Sequence, residues 1–316
     1  MKYGFGVDLG GTTVKIAYFD QTGTLLEKWE IPTVTKDDGK QILPDIAAAI
    51  LSYLERNSIS RHDVIGIGIG VPGPVSDAGV VNRCHNLGWD VFNIHDALGA
   101  LTNLPVKAGN DANMAALGEA WKGSATGCDN MVLVTLGTGV GGGIILGGKP
   151  LNGVRGAAGE VGHITVNTGE TVRCSCGKYG CAEQYCSATG VVNMAKKQLA
   201  ATDCPSLLRS KDPLTCKDVF DAAGENDALA AQVLEQVYDY MGQFLADIGS
   251  TLDPEVIVLG GGVSRAGQPL LEGAKRYFDR YVFHASAGVR FALATLGNDA
   301  GAYGAFKLIL DHTLNQ

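Results

Sequence analysis

The sequence predicts an α/β protein with two related halves. Apolar runs rich in valine and isoleucine, typical of buried strands, alternate with segments whose apolar residues recur at helical spacing. One device, a strand followed by a glycine- and threonine-rich turn and a second strand, occurs at Tyr3–Phe19 and again at Met131–Leu146. Because the two copies lie far apart in the chain, they indicate two halves rather than a short-period solenoid.

Length and composition limit the classes of function. The 316 residues suffice for two domains with well-filled cores, and 46% hydrophobic with 18% charged residues is typical of a globular protein. No apolar run approaches the ~20 residues of a membrane span, and Asp8 comes too early for a secretory signal, so a cytoplasmic location is expected. A net charge of −8 without a basic patch argues against nucleic acid as a partner.

The predicted elements follow from the apolar spacing. Strands are expected at Tyr3–Val7, Val14–Phe19, Leu25–Ile31, Val64–Val71, Pro105–Ala108, Met131–Leu136, Ile144–Leu146 and Val256–Leu259. Helices are expected at Gln41–Leu54, Asn110–Trp121, Asp218–Ala223, Ala228–Thr251 and Ala300–Leu310. Pro72-Gly73-Pro74 ends the strand that precedes it.

The two glycine- and threonine-rich turns, Asp8–Thr13 and Gly137–Gly143, predict a phosphate clamp. Glycine lets backbone N–H groups approach phosphate oxygens, and threonine hydroxyls add donors. The carboxylate of Asp8 suits Mg²⁺ bound through water. Each turn taken alone is equally consistent with an ordinary β-hairpin. Neither turn is a Walker loop, and the lack of a dinucleotide fingerprint argues against a nicotinamide oxidoreductase.

A metal site is indicated by one imidazole and three thiols that lie close together in the chain. Tetrahedral zinc takes four nitrogen or sulfur ligands, and this segment supplies them as His163, Cys174, Cys176 and Cys181. Gly177 and Gly180 can adopt the positive φ angles that a tight knuckle requires. The alternative is a set of incidental reduced cysteines. The remaining five cysteines are scattered and are interpreted as ordinary thiols.

Carboxylates next to these motifs predict a substrate site. Glu160 precedes His163 by three residues, and Glu183 follows Cys181 by two, so both are attached to the proposed metal loop. Asp111 stands at a predicted helix start, where the helix dipole favours an ionised carboxylate, although a plain helix cap is an alternative. Gly260–Gly262 follows a strand and would let a flat ligand such as adenine approach the backbone, or would form an ordinary turn.

Taken together, these motifs resemble the ROK family of sugar kinases, within the actin-like ATPase superfamily. The matching segments are Gly6–Lys15, Gly70–Pro74, Asn110–Asn113, Leu136–Gly143, Gly159–His163 and Cys174–Glu183. They cover essentially the whole chain. Asn86–Trp89 and Gly118–Trp121 are most similar to the members of the family that are glucokinases of Gram-positive bacteria.

The resemblance implies two actin-like (ribonuclease H-like) α/β domains with an interdomain cleft. A small domain is expected from residues 1–120 plus 300–316, since the C-terminal helix should pack back on the first domain. A large domain is expected from residues 121–299, with the zinc-binding loop. The implied reaction is ATP-dependent phosphorylation of glucose at its 6-hydroxyl, with Mg²⁺ and a structural Zn²⁺, in a homodimer.

The resemblance also assigns expected roles to residues. Asp111 is the expected general base, and sugar hydroxyls are expected to contact Asn110, Asp111, Glu160, His163 and Glu183. Zinc is expected on His163, Cys174, Cys176 and Cys181. ATP is expected to bind a first phosphate loop, a second phosphate loop and an adenosine-binding turn, at Asp8, Gly10, Gly11, Thr12, Thr13, Lys15, Thr138, Gly139, Gly261 and Gly262.

Two other functions stay open from the sequence. A kinase for another hexose, such as N-acetylmannosamine, fructose or allose, would share the same motifs, because these sugars present hydroxyls of similar reach. A sugar-responsive repressor of the same family would carry a DNA-binding segment ahead of the kinase-like body. Here the phosphate loop already begins at Asp8, which argues against a repressor. The motifs leave open whether polyphosphate replaces ATP and what regulates turnover.

Overall fold

A computed structural model of the chain describes residues Met1–Leu314. The strands in this range are β1 (Tyr3–Leu9), β2 (Thr13–Asp20), β3 (Leu25–Pro32), β4 (Val64–Val71), β5 (Val80–Val81), β6 (Phe92–Asn93), β7 (Val106–Asn110), β8 (Met131–Leu136), β9 (Val140–Leu146), β10 (Lys149–Pro150), β11 (Val256–Gly260) and β12 (Arg290–Leu293). The helices are α1 (Ile42–Arg56), α2 (Ile94–Thr102), α3 (Asp111–Lys122), α4 (Glu183–Cys186), α5 (Ala188–Ala201), α6 (Cys216–Gly224), α7 (Ala228–Leu252), α8 (Gln268–Tyr281) and α9 (Ala300–Leu314).

The described chain divides into two compact units. The first unit consists of Met1–Asp129, Gly143–Gly159 and the chain from Thr295 onward. The second unit consists of Asn130–Gly142 and Glu160–Ala294. The domain ranges expected from the sequence stay a prediction, because compactness does not test independent folding.

The first unit contains a five-stranded sheet in the order β3-β2-β1-β4-β7. Strands β1, β2 and β3 form an antiparallel meander, whereas β1, β4 and β7 run parallel. On one face of the sheet, buried residues such as Phe5, Ile16 and Ile67 pack with Ile46 and Ile50 of α1. These strands therefore carry most of the apolar core of the first unit.

The opposite face of this sheet explains the alternating glycines of β1 and β4. A Cβ added at Gly6 would lie 2.0 Å from the Ala302 carbonyl oxygen, and one at Gly68 would lie 1.7 Å from that of Ala305. Both carbonyls belong to α9, so this helix packs directly on the sheet backbone. The C-terminal helix thus packs on the N-terminal sheet, in contact with β1, β4 and β7.

A second sheet has the strand order β10-β9-β8-β11-β12. Within the second unit, β11 lies between β8 and β12 and runs parallel to both. Every residue of β11 is buried, which explains its continuous apolar sequence. The chain passes from the second unit into the first within β9.

Most predicted elements are confirmed, several at the same bounds. β4 and β8 match their predicted ranges, and α3 begins one residue after Asn110, which caps it. One prediction was wrong: Val140–Gly143 belongs to strand β9 and not to the preceding turn, because glycine's lack of a side chain does not prevent strand pairing. Helices α2, α4, α5 and α8 and strands β5, β6, β10 and β12 were missed, although Leu270, Ala274 and Phe278 of α8 show helical spacing and are buried.

No helix among residues 1–314 is long and apolar enough to cross a membrane.

Candidate active site

The first glycine- and threonine-rich loop joins β1 to β2 in the first unit. Its base is closed by a hydrogen bond of 3.0 Å from the Gly10 N–H to the Thr13 carbonyl. The Gly10 carbonyl accepts a bond of 2.7 Å from the Thr33 hydroxyl. Its tip is open, since Gly11 and Thr12 are exposed and a Cβ added at Gly11 would meet no atom within 4 Å. The loop is therefore held at its base and accessible at its tip.

Asp8 and Lys15 stand opposite each other at the end of the β1–β2 ladder. Their Oδ2 and Nζ atoms are 3.3 Å apart, and Lys15 Nζ also donates to the Asn298 carbonyl at 3.3 Å. A Cβ added at Gly301 would lie 2.8 Å from Asp8 Cγ, so α9 closes one side of the carboxylate. Carboxylate and ammonium thus lie side by side next to the first loop.

Asn110 and Asp111 mark the junction of β7 and α3. The Asn110 side-chain oxygen accepts hydrogen bonds from Ala112 N–H at 3.0 Å and Asn113 N–H at 3.2 Å, which makes it the N-cap. Its amide nitrogen donates to the Gly73 carbonyl at 3.2 Å. The capping role considered for Asp111 therefore belongs mainly to Asn110. These contacts use the side-chain oxygen and one amide hydrogen of Asn110, and they do not use its second amide hydrogen.

Asp111 is the first residue of α3 and is half-buried. Its Oδ1 accepts a hydrogen bond of 2.8 Å from the Ala112 N–H. The positive end of the helix dipole at this position stabilises an ionised carboxylate. Strand β7 ends directly before Asp111 and helix α3 begins at this residue, so regular structure on both sides fixes the position of its backbone.

Sequence reasoning assigned no role to Asn113, two residues further on. Asn113 is 1% exposed and donates to Asn152 Oδ1 at 2.9 Å. Asn152 in turn donates to Asp77 Oδ1 at 2.7 Å. This chain of amides joins the α3 N-terminus to two loops of the first unit, and its signal in the sequence was a buried amide in the turn that follows Asp111.

The second glycine- and threonine-rich loop joins β8 to β9 in the second unit. It turns tightly, with a bond of 2.9 Å from the Gly137 N–H to the Gly139 carbonyl. The Gly137 carbonyl accepts the Ala188 N–H at 2.8 Å, and the Thr138 carbonyl accepts the Thr189 hydroxyl at 3.0 Å. The Thr138 residue itself is exposed, so its hydroxyl lies at the accessible side of the loop.

The glycine turn after β11 packs against the start of this second loop. Gly261 has a φ of +82°, and a Cβ added there would lie 2.5 Å from the Leu136 carbonyl oxygen. Its carbonyl accepts the Ser264 hydroxyl at 2.7 Å. At Gly262 an added Cβ would meet nothing within 4 Å. Gly261 is therefore closely packed, and there is free space beside Gly262. The second unit thus brings Thr138, Gly139, Gly261 and Gly262 into one region.

Glu160 precedes a short 3-10 turn at Val161–His163, and His163 is its last residue. Glu160 Oε2 lies 3.9 Å from His163 Nε2, and the Glu160 side chain is 62% exposed. A Cβ added at Gly162 would lie 2.1 Å from the Val140 carbonyl oxygen, so this turn packs on the start of β9. The carboxylate of Glu160 and the imidazole of His163 therefore extend from a closely packed turn, in which position 162 has no room for a side chain.

The four predicted metal ligands are brought together. Their donor atoms all lie within 4.8 Å of one another. His163 Nδ1 is 3.8 Å from Cys174 Sγ, and Cys176 Sγ is 3.6 Å from Cys181 Sγ. These spacings fit tetrahedral zinc, whose bonds to sulfur and nitrogen of about 2.0–2.3 Å place ligand atoms just under 4 Å apart. Because Nδ1 faces the thiols, the Nε2 atom of His163 points away from them, toward Glu160.

The knuckle geometry confirms the role expected of its glycines. Gly177 and Gly180 have φ angles of +87° and +71°. A Cβ added at Gly180 would lie 1.8 Å from the Asn167 carbonyl oxygen, so no other residue fits there. Burial raises the pKa of the Cys181 thiol to about 12. A backbone hydrogen bond from Lys178 holds the pKa of Cys176 below its usual range.

Comparison with known proteins places the chain in a family. The ROK family matches residues 4–312, and the chain belongs to this family. The glucokinase of Halalkalibacterium halodurans is 46% identical over 309 residues, which are 96% of this chain and 94% of the relative. The N-acetylmannosamine kinase of Escherichia coli is 33% identical over 307 residues, 96% of each chain.

A solved structure agrees with these relatives. It is a ROK family glucokinase from Streptomyces griseus in complex with glucose and AMPPNP, 35% identical, with a TM-score of 0.74 over 97% of this chain and 98% of that one. The fold class expected from the sequence is thereby confirmed as the two-domain, actin-like α/β fold of this family.

Proposed function

We propose that this protein is a glucokinase, which transfers the γ-phosphoryl group of ATP to the 6-hydroxyl of glucose. The observation that carries this proposal is the pair of glycine- and threonine-rich loops together with a helix-start aspartate whose capping role is taken over by its neighbour Asn110. The 46% identity to a glucokinase over nearly the whole chain supports the same reaction. The class is an ATP-dependent hexokinase-type phosphotransferase.

The nucleotide is proposed to bind the two loops and the adenosine-binding turn. Gly10, Gly11, Thr12 and Thr13 would contact phosphates with the open tip of the first loop, flanked by Asp8 and Lys15. Thr138 and Gly139 would do so in the second unit, with Gly261 and Gly262 at the adenosine end. Lys15 supplies a positive charge beside the first loop, and the threonine hydroxyls supply donors.

Magnesium is proposed to accompany ATP, with Asp8 as its protein carboxylate. The site fits a hard cation bound through water, because Asp8 is half-buried and offers only oxygen atoms. The ion would neutralise charge on the phosphoryl oxygens. In the structure Lys15 occupies one side of Asp8 at 3.3 Å, so Lys15 would share the carboxylate with the ion's hydration shell.

Asp111 is proposed to act as the general base for the sugar hydroxyl. Its carboxylate sits at the positive end of α3, where the helix dipole favours the ionised form that can accept a proton. Positioned general bases typically contribute ~10²–10⁴-fold to rate. The remaining amide hydrogen of Asn110, together with Glu160, His163 and Glu183, is proposed to bind sugar hydroxyls.

Zinc is proposed to be structural. All four ligands, His163, Cys174, Cys176 and Cys181, come from the protein, which leaves no open position for a reactant. With Nδ1 of His163 on the metal, its Nε2 would donate to a sugar hydroxyl beside Glu160. The ion would then hold the sugar-binding residues of the second unit in fixed positions.

Cellular context is proposed from the family alone. ROK membership supports a cytoplasmic homodimer that acts in glycolysis, built from a small domain (1–120 plus 300–316) and a large one (121–299). A kinase for N-acetylmannosamine is the second candidate function, because such a kinase is 33% identical over the same length. Among residues 1–314, no contact favours a repressor function.

The test is ADP release from Mg-ATP, with glucose, N-acetylmannosamine, fructose, mannose and allose offered separately at matched concentrations. We expect kcat/KM for glucose to exceed the others by well over tenfold, since a site built to bind one set of hydroxyls rejects analogues strongly. Turnover with another sugar alone would replace the substrate but keep the kinase. No turnover with any of the five would contradict the enzyme assignment.

A further inference from the structure

Glu183 makes contacts that a sugar-binding role does not account for. Its Oε2 atom accepts a hydrogen bond of 3.0 Å from the Val140 N–H, at the end of the second phosphate loop. Its Oε1 atom accepts the Ser175 hydroxyl at 3.0 Å and lies 3.8 Å from Cys174 Sγ. One carboxylate therefore joins the second phosphate loop to the zinc knuckle, one oxygen to each.

The glycine at position 139 is a second, independent observation. A Cβ added at Gly139 would lie 2.3 Å from Glu183 Oε2 and 3.2 Å from Glu183 Cδ. The carboxylate thus occupies the space that a side chain of the loop would take. Gly139 does not have a positive φ, so glycine is not needed here for a left-handed backbone. Its lack of a side chain instead leaves space for the Glu183 carboxylate.

The segment that starts with Glu183 supports the loop along its whole length. Ala188 and Thr189, at the start of α5, bind the Gly137 and Thr138 carbonyls. Those two bonds use carbonyl oxygens, so they engage none of the N–H groups of the loop. Glu183 makes the only one of these three bonds in which the loop is the donor, and it fixes the direction of the Val140 peptide.

We propose that Glu183 is a positioning residue for the second phosphate loop and thereby raises affinity for the phosphate chain of a nucleotide, in addition to its proposed contact with the sugar. This inference rests on the proposed function for the identity of the phosphate ligand. It predicts that the zinc knuckle and nucleotide binding are coupled through Ser175, Glu183 and Val140. A hydrogen bond to an ionised carboxylate is stronger than a neutral one, which suits this ordering role.

The experiment is calorimetric binding of Mg-ADP in the absence of sugar, to the wild type, Glu183→Ala and Glu160→Ala. Both variants remove a carboxylate from the proposed sugar site, but only Glu183 touches the loop. We expect Glu183→Ala to weaken the Kd for Mg-ADP by roughly tenfold or more, as for the loss of a hydrogen bond to a charged group. Glu160→Ala should bind Mg-ADP like the wild type.

Equal affinities of the wild type and Glu183→Ala, or equal losses in both variants, would overturn the inference. If Glu183→Ala does not fold, Ser175→Ala decides. It keeps the Val140 bond and removes the partner of Oε1, so a loss of a few-fold in Mg-ADP affinity that Ser175→Thr restores is expected. An unchanged Kd in Ser175→Ala would then count against it. A wild type that binds no Mg-ADP would instead contradict the proposed function itself.

Discussion

The two glycine- and threonine-rich loops look alike in the sequence but are built differently. The first loop is closed at its base and has an open tip, where a Cβ on Gly11 would meet nothing within 4 Å. The second is held at Gly137, Thr138 and Val140 by the segment that follows the proposed zinc knuckle. A shared motif therefore does not imply shared support: the first loop is tied to Thr33, just after β3, and the second is tied to the segment from Glu183 to Thr189.

The largest effect on activity is expected from a substitution that changes neither loop. Asp111→Asn should lower kcat at least ~100-fold, because it removes the proton acceptor while the amide preserves shape. The Kd for Mg-ADP should stay at the wild-type value, since the amide keeps the size and shape of the side chain. Steady-state kinetics and calorimetry on one preparation check both. Near-normal turnover would remove Asp111 from the role of base.

A pair of alanine substitutions compares a closely packed glycine beside the second loop with an open glycine of the first loop. Gly162→Ala would place a Cβ 2.1 Å from the Val140 carbonyl oxygen, a backbone atom that cannot turn aside. We expect it to lower the free energy of unfolding by about 1–3 kcal/mol, as overpacking does.

The partner of this pair is Gly11→Ala, at the open tip of the first loop. Its φ is not in the left-handed region, and nothing lies near the added methyl group, so unfolding should change by less than about 0.5 kcal/mol. Urea unfolding of the two variants gives the comparison. Equal stabilities would show that the packing of Gly162 on the start of β9 is no tighter than the environment of Gly11.

Removing zinc should affect the second unit selectively. Without the ion, His163, Glu160 and Glu183 lose the common frame that the knuckle gives them, and KM for glucose should rise by about tenfold or more, a typical cost of losing support around a metal. A metal assay before and after chelation, with KM measured on both samples and after zinc is restored, is the check. A zinc-free protein with unchanged KM would refute the structural role.

A smaller effect is expected in the first unit at low pH. Burial lowers the pKa of His95 to about 4, and its Nε2 accepts the Ala108 N–H at 2.9 Å within β7. Because the unfolded chain binds this proton more readily, stability should be lost as pH falls from about 6.5 toward 4. Thermal unfolding across this range, with His95→Gln as the control that cannot titrate, would show it. Identical pH profiles would contradict the assignment.

Much of this could be predicted from the sequence, because the signals are local. Strand runs such as Val64–Val71, the glycine turns and the ligand spacing of the knuckle each depend on neighbouring residues. The positive φ angles of Gly177 and Gly180 follow from the same local logic.

The parts that could not be predicted depend on long-range contacts. Nothing near Glu183 in the sequence indicates that its carboxylate meets the N–H of Val140. The alternating glycines of β1 and β4 could be read as flexible, whereas the structure shows that α9 needs the space. The division of labour between Asn110 and Asp111 required the actual hydrogen bonds at the start of α3.

The most direct test of the central claim is the identity of the product. Phosphorus NMR of a reaction with Mg-ATP and glucose should show one ADP formed for each glucose 6-phosphate, with no free phosphate at early times. Phosphate appearing on another hydroxyl would contradict the proposed position of Asp111 toward the 6-hydroxyl. ADP and free phosphate without any sugar phosphate would contradict the glucokinase assignment.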